Sequence, residues 1–161
     1  AHVVAADFTP EMIAVGRGRL RGRPVEWVLA EASALPFAGE VFEGVVSGFL
    51  VRNVPDPESV FREQQRVLRP TGRVACLDTS IPCGGPVEAV LRFHRCRLIP
   101  LLGRVLAGDE PAYTYLVESM ESFLTPEPLA ERMEAAGFRH VGFTRRMLGS
   151  VAIHWGEKDG Q

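Results

Sequence analysis

Four apolar runs in this chain end in residues that can do chemistry. Val3-Val4-Ala5-Ala6 ends in Asp7, and Val25–Leu29 ends near Glu31-Ala32. Gly44–Phe49 leads into Val51-Arg52-Asn53-Val54-Pro55-Asp56, and Arg73–Asp78 closes on Asp78-Thr79-Ser80. In open α/β sheets, ligands sit outside the carboxyl ends of the strands. An acid at such an end can take both hydroxyls of a ribose, and hydrogen bonds to a charged group contribute about 1.5–3 kcal/mol each. Asp7 fits that role and fits equally well as an N-cap for the helix after it. Glu31 can accept from an exocyclic amine, with the Ala32 backbone N–H donating to a purine ring; the plainer reading is a solvated loop acid. Arg52 and Asn53 either face a cleft at the sheet edge or form a loop salt bridge and an Asx turn. The proton donors and acceptors on offer are His94, Tyr113, Tyr115 and His154. Such residues in amphipathic helices more often pack than react, and His154, on a terminal strand, is expected to be structural. The residues offer no Ser-His-Asp set, no metal cluster and no glycine-rich phosphate loop.

The totals narrow the class. A chain of 161 residues has room for one domain with a real core. Its net charge is −2 and the charges are not blocked into runs, which argues against a nucleic-acid partner. Its three cysteines, Cys76, Cys83 and Cys96, make neither a CxxC pair nor a zinc spacing. Cys76 reads as a buried small hydrophobe, and free thiols fit a reducing, cytoplasmic setting. Val87–Leu106 is apolar but carries Arg92, His94, Arg95, Arg97 and Arg104, too much charge for an ordinary transmembrane span. No basic region followed by an apolar segment marks a signal peptide at the start. The chain opens directly on a strand of buried character, from which a preceding strand and helix are expected to be missing.

These groups need elements to hold them. Thr9, Pro10 and Glu11 predict a helix start. That helix runs to about Arg21, with Met12, Ile13, Val15 and Leu20 toward the sheet; Gly16 and Gly18 weaken it and Gly22 stops it. Val25–Leu29 is a strand and Ser33–Phe42 a loop. Next come a strand at Gly44–Phe49, a helix at Pro57–Leu68, a break at Arg69-Pro70-Thr71-Gly72 and a strand at Arg73–Asp78. Together they make a right-handed parallel βαβ unit with both strands buried. After the linker Pro82-Cys83-Gly84-Gly85-Pro86, helical pieces are expected at Val87–Arg97, Ile99–Ala107 and Pro111–Phe123. Pro126–Ala136 is an amphipathic helix ended by Gly137. Phe138–Leu148 and Ser150–Trp155 form an antiparallel pair. The fold class is α/β: a doubly wound Rossmann-like sheet finished by an antiparallel hairpin, with a helical insert at residues 82–125 inside a single domain, residues 1–161.

The combination of motifs resembles a known superfamily. Asp7-Phe8-Thr9-Pro10-Glu11-Met12, Glu31-Ala32-Ser33-Ala34-Leu35-Pro36-Phe37, Phe49-Leu50-Val51-Arg52-Asn53-Val54-Pro55-Asp56 and Arg66-Val67-Leu68-Arg69-Pro70-Thr71-Gly72-Arg73 resemble a class I S-adenosylmethionine-dependent methyltransferase. Ile99-Pro100-Leu101-Leu102-Gly103, Tyr115-Leu116-Val117-Glu118-Ser119, Ala135-Ala136-Gly137-Phe138 and Gly149-Ser150-Val151-Ala152-Ile153-His154-Trp155-Gly156 are similar to the ubiquinone/menaquinone biosynthesis C-methyltransferase family. The resemblance implies S-adenosylmethionine as cofactor, with Asp7 on its ribose, Glu31-Ala32 on its adenine, and Phe8, Gly48 and Phe49 among its contacts. It implies C-methylation of a lipophilic, prenylated quinol under a cap formed by the insert. Arg52, Asn53, His94, Tyr113 and Tyr115 become the acceptor-side residues, and Arg52, His94 and Tyr113 the candidates for a catalytic base or hydrogen-bonding partner. No metal is implied, and the picture allows peripheral membrane contact and a homo-oligomer. The family's first strand and glycine-rich turn are absent from these residues. Glu31 replaces an Asp, Leu50 and Thr71 each replace a glycine, Ser150 replaces another, and His94 stands where a tyrosine is typical. The departures keep two alternatives open: a paralogue acting on another small aromatic or lipophilic molecule, and a non-catalytic binding module.

Overall fold

Local chemistry sets the best-defined helix. Asp56 accepts the Glu58 backbone N–H at 3.0 Å and Pro57 fills the first helical position, so the end of the preceding loop becomes a capped start. Pro57, Val60, Phe61, Gln64 and Val67 then recur every three or four residues and are buried along one face. The computed structural model describes residues 2–80 and 125–160. In chain order its elements are β1 (Val3–Asp7), α1 (Pro10–Arg19), β2 (Val25–Leu29), β3 (Phe42–Gly48), a 3-10 turn at Val51–Asn53 and α2 (Pro57–Val67). β4 (Leu68–Thr79), α3 (Pro126–Ala135), β5 (Phe138–Arg146), a second 3-10 turn at Met147–Gly149 and β6 (Val151–Lys158) complete the set. The helices expected at Val87–Arg97, Ile99–Ala107 and Pro111–Phe123 lie outside the described residues.

Among the described residues the strands form two sheets. β1 and β2 pair in parallel, and a four-stranded sheet has the order β3-β4-β6-β5. β3 and β4 are parallel and are joined by α2; β6 is antiparallel to both β4 and β5. The register puts Ser47, Cys76, His154 and Phe143 in one row across the sheet. α2 and α3 cover that face, where Val51, Phe61, Leu68, Val74, Cys76, Leu129, Met133, Ala136 and Phe138 make the core. The mixed α/β architecture and the closing antiparallel hairpin agree with the expected fold class.

Several details differ from expectation for physical reasons. α2 passes straight into β4 at Leu68, with no break between them. The turn residues instead bulge out of the strand: β3–β4 pairing jumps from Phe42–Leu68 to Gly44–Arg73, and Thr71 takes a left-handed φ of 63°. α1 buries only Ile13, while Met12, Val15 and Leu20 are exposed. Gly16 has a use there that helix propensity does not show. A Cβ at that position would lie 2.1 Å from the ring of Trp27 on β2, so only glycine lets the helix approach so closely. β3 is not buried on both sides, for Val46 is 84% exposed. β1 and β3 do not pair with each other. The hairpin strands also shift: β5 ends at Arg146, and β6 runs on past Trp155 to Lys158.

Candidate functional site

Between the facing edges of β1 and β3 lies a cleft of about 340 Å³. Asp7 and Phe8 line it from the end of β1, Ala30 and Ala32 from the end of β2, and Gly48, Phe49, Leu50 and Asn53 from the end of β3. The carboxyl ends of three strands thus converge on one space, the place where open α/β sheets bind ligands. Its walls are mostly apolar.

Asp7 is half-buried, and its Oδ1 accepts the Thr9 backbone N–H at 2.8 Å. Thr9 precedes α1 but makes no side-chain cap bond, so Asp7 shapes the start of the helix. Oδ2 has no protein partner among the described residues and remains available to a ligand. The Ala30 N–H donates to the Asp7 carbonyl at 3.0 Å, which carries β1–β2 pairing beyond the strand and fixes the approach to Ala32. Glu31 itself is exposed, stands outside the cleft wall and accepts the Ser33 hydroxyl at 2.9 Å.

Phe49 sits in a left-handed conformation, φ 54°, which strains a residue with a Cβ. Three contacts hold it there. Its N–H donates to the Leu77 carbonyl at 2.8 Å, its carbonyl accepts the Asn53 side-chain amide at 2.8 Å, and the Arg52 guanidinium lies 5.1 Å from its ring centroid. Asn53 therefore does serve the local turn while also facing the cleft. Arg52 does not line the cleft. It turns toward Asp78, whose Oδ2 accepts the Arg52 backbone N–H at 3.2 Å. Burial pushes the Asp78 carboxyl above its ordinary pKa, against the opposing pull of the Thr79 and Arg52 N–H groups and the Arg52 charge.

Two residues on α2, Glu63 and Arg66, also shape the site. Glu63 accepts the Leu35 N–H at 2.9 Å, and Arg66 donates to the carbonyls of Leu35 and Phe37 at 3.1 and 2.9 Å. Leu35 and Phe37 are cleft residues, so this pair pins the loop after β2 to the helix. The hydrogen bond from Arg66 holds the Glu63 carboxyl below its usual range. Neither residue stands out in the sequence, because a Glu and an Arg three apart on a helix look like an ordinary solvated pair. The strand-end position of Asp78 was visible, but its partner was not.

His154 is buried, and its Nε2 lies 2.9 Å from the Pro126 carbonyl, so the ring latches the start of α3 to the sheet. It is structural, as expected. Cys76 is buried too, and desolvation raises its pKa to about 11, so the thiol stays protonated and unreactive. His94, Tyr113 and Tyr115 lie outside the described residues.

The relatives of this chain decide its family. Residues 1–158 match the family model described as the ubiE/COQ5 methyltransferase family. The chain belongs to that family. It is 42% identical over 158 residues to the ubiquinone/menaquinone biosynthesis C-methyltransferase UbiE of Desulfotalea psychrophila, covering 98% of this chain and 64% of that protein. It is 41% identical to the demethylmenaquinone methyltransferases of Roseiflexus sp. and Thermus thermophilus, covering 98% of this chain and 66% and 72% of theirs. The chain thus spans about two thirds of the length of the curated ubiE/COQ5 relatives that it matches. Among solved structures, a putative methyltransferase from Bacillus halodurans aligns with a TM-score of 0.65 at 17% identity, covering 98% of this chain and 83% of that one. A putative methyltransferase from Haloferax volcanii, in complex with its Trm112 activator, aligns at 0.70 and 14%, covering 97% and 71%. At such identities the ubiE/COQ5 chain shares their Rossmann-like fold, and nothing finer is drawn from them.

Proposed function

We propose that the described residues form much of an S-adenosylmethionine site, and that the whole protein moves a methyl group to a ring carbon of a prenylated quinol. One observation carries the reading: three strand ends bring Asp7, Phe8, Ala32, Gly48 and Phe49 onto one cleft. These residues suit the cofactor. Asp7 keeps one carboxylate oxygen for ribose hydroxyls while the other holds Thr9. The Ala32 backbone and the apolar walls offer an adenine both a donor and a stacking surface, and Gly48 leaves open space where a Cβ would otherwise project. The cofactor would supply an electrophilic methyl on a sulfonium. The chain's own contribution is placement, since an in-line displacement gains most of its rate from holding the two reactants in line. Phe49, fixed by Leu77, Asn53 and Arg52, would stand at the junction of cofactor and acceptor. Arg52 would stabilise a ring phenolate, which raises the nucleophilicity of the carbon. His94, Tyr113 and Tyr115, in the insert at residues 82–125, remain acceptor-side candidates. The relatives named for menaquinone and ubiquinone biosynthesis support the choice of a quinol.

The test incubates the full-length protein with methyl-labelled S-adenosylmethionine and demethylmenaquinol. The expected outcome is label on the quinol ring. Label on a different acceptor would retain the methyltransferase and discard the quinol.

A further inference from the structure

Asp78 ends β4 with its side chain wholly buried. A carboxylate is costly to bury unless its lone pairs are used and its charge is met. Both conditions hold here. Oδ1 accepts the Thr79 N–H at 2.7 Å, and Oδ2 accepts the Arg52 N–H at 3.2 Å. The Arg52 side chain is only 14% exposed; its Nε lies 3.9 Å from Oδ1 and has no hydrogen-bond partner of its own. At that separation the pair is held by charge and not by a bond. Asp78 therefore fixes Arg52 twice, by its backbone and by its cation. From that position the guanidinium lies over the ring of Phe49, a wall of the cleft. The charge of Asp78 acts in turn on two other titratable groups, Cys76 on its own strand and His154 on β6.

We propose that Asp78 is a positioning residue for methyl transfer: through Arg52, the buried carboxylate sets the acceptor side of the site. This rests on the reading of Arg52 as an acceptor-side group. Arg52 is not on the cleft wall, whereas Phe49, Leu50 and Asn53 are, so loss of Asp78 should reduce turnover and spare cofactor affinity.

The experiment compares Asp78→Asn, Arg52→Gln and the double variant in the full-length protein, by methyl-transfer kinetics and S-adenosylmethionine calorimetry. Asp78→Asn is expected to lower kcat about tenfold, the effect of a misplaced group, with cofactor Kd changed by no more than about twofold. In the double variant it should add nothing to Arg52→Gln, because the two residues act as one unit. Additive losses, or a cofactor affinity that falls in step with kcat, would overturn the proposal and leave Asp78 a residue of the fold. Should Asp78→Asn fail to fold, Arg52→Gln decides alone. Carbon-detected NMR titration of Asp78 must then show its pKa rising when the guanidinium is removed, and an unmoved pKa overturns the proposal. Neither NMR nor calorimetry needs an acceptor. A wild-type protein that ignores quinols would thus sink the substrate reading, while these two readouts judged Asp78 separately.

Discussion

One carboxylate oxygen of Asp7 holds the turn before α1, and the other is the one proposed above to meet ribose hydroxyls. Asp7→Ala should therefore weaken S-adenosylmethionine binding by about tenfold or more, the equivalent of at least one charge-assisted hydrogen bond, measured by calorimetry. Unchanged affinity would reduce Asp7 to a helix cap. Glu31→Gln should matter less, because that side chain is exposed, tied to Ser33 and outside the cleft wall. His154 gives a prediction of another kind. Burial pushes its pKa below the ordinary 6.5, despite the pull of the Pro126 carbonyl, and its Nδ1 has no partner to take a second proton. A base with a depressed folded pKa contributes stability that is complete above about pH 6.5 and is lost as pH falls through the folded value. Urea unfolding from pH 7 downward should show stability declining below that point by at most about 1.4 kcal/mol per pH unit for one proton. Asp78, raised by burial, acts in the opposite sense in the acid range, so the His154→Gln difference is the clean measure. A variant with the same slope as wild type would put the acid sensitivity elsewhere. Asp7 was legible in the sequence because an acid after an apolar run marks a strand end. Asp78 was legible as a strand end in the same way, but its role was not, because its burial and its partner depend on a loop 26 residues away.

At the scale of elements, the helix–strand pattern was readable and the reasons for particular residues were not. Asp56-Pro57 with its apolar repeat announces α2, and the run Val25–Leu29 coincides with β2. Gly16 and Gly18 look alike as weak points of a helix, yet their surroundings differ. Nothing lies within 4 Å of a Cβ built on Gly18, while one on Gly16 would meet Trp27 at 2.1 Å. Helix propensity alone says that Ala at either site should help by up to about 1 kcal/mol. The packing predicts opposite signs. Gly18→Ala should raise stability slightly, and Gly16→Ala should lower it by about 1–3 kcal/mol as α1 is pushed off β2. Chemical denaturation of the pair checks this, and equal effects would mean that Trp27 simply turns aside. The bulge at residues 69–72 belongs to the same lesson. The sequence marks a turn there, and only the pairing register shows that the turn is absorbed into β4.

For the molecule as a whole, the arrangement of the two sheets matters most. β1 and β3 both line the cleft, and among the described residues each is paired on one side only. Val3 and Val46 are exposed beside those edges, and most of α1's apolar side chains lack cover. Unpaired apolar edges of this kind template aggregation, and a sheet divided into two strands and four loses the cooperativity of a continuous one. A parallel strand between β1 and β3 would satisfy both edges and close the cleft on its third side. We therefore predict that residues 1–161 alone do not form a stable monomer that binds S-adenosylmethionine. The same residues preceded by the corresponding N-terminal segment of a longer ubiE/COQ5 relative should do so. Thermal unfolding of both proteins, with and without the cofactor, is the measurement. The chimera should unfold cooperatively and at a higher temperature with cofactor present, because a ligand that binds only the folded state stabilises it by mass action. A cooperative, cofactor-shifted transition from residues 1–161 alone would show that the two sheets need no strand between them. The cleft would then already be the complete site.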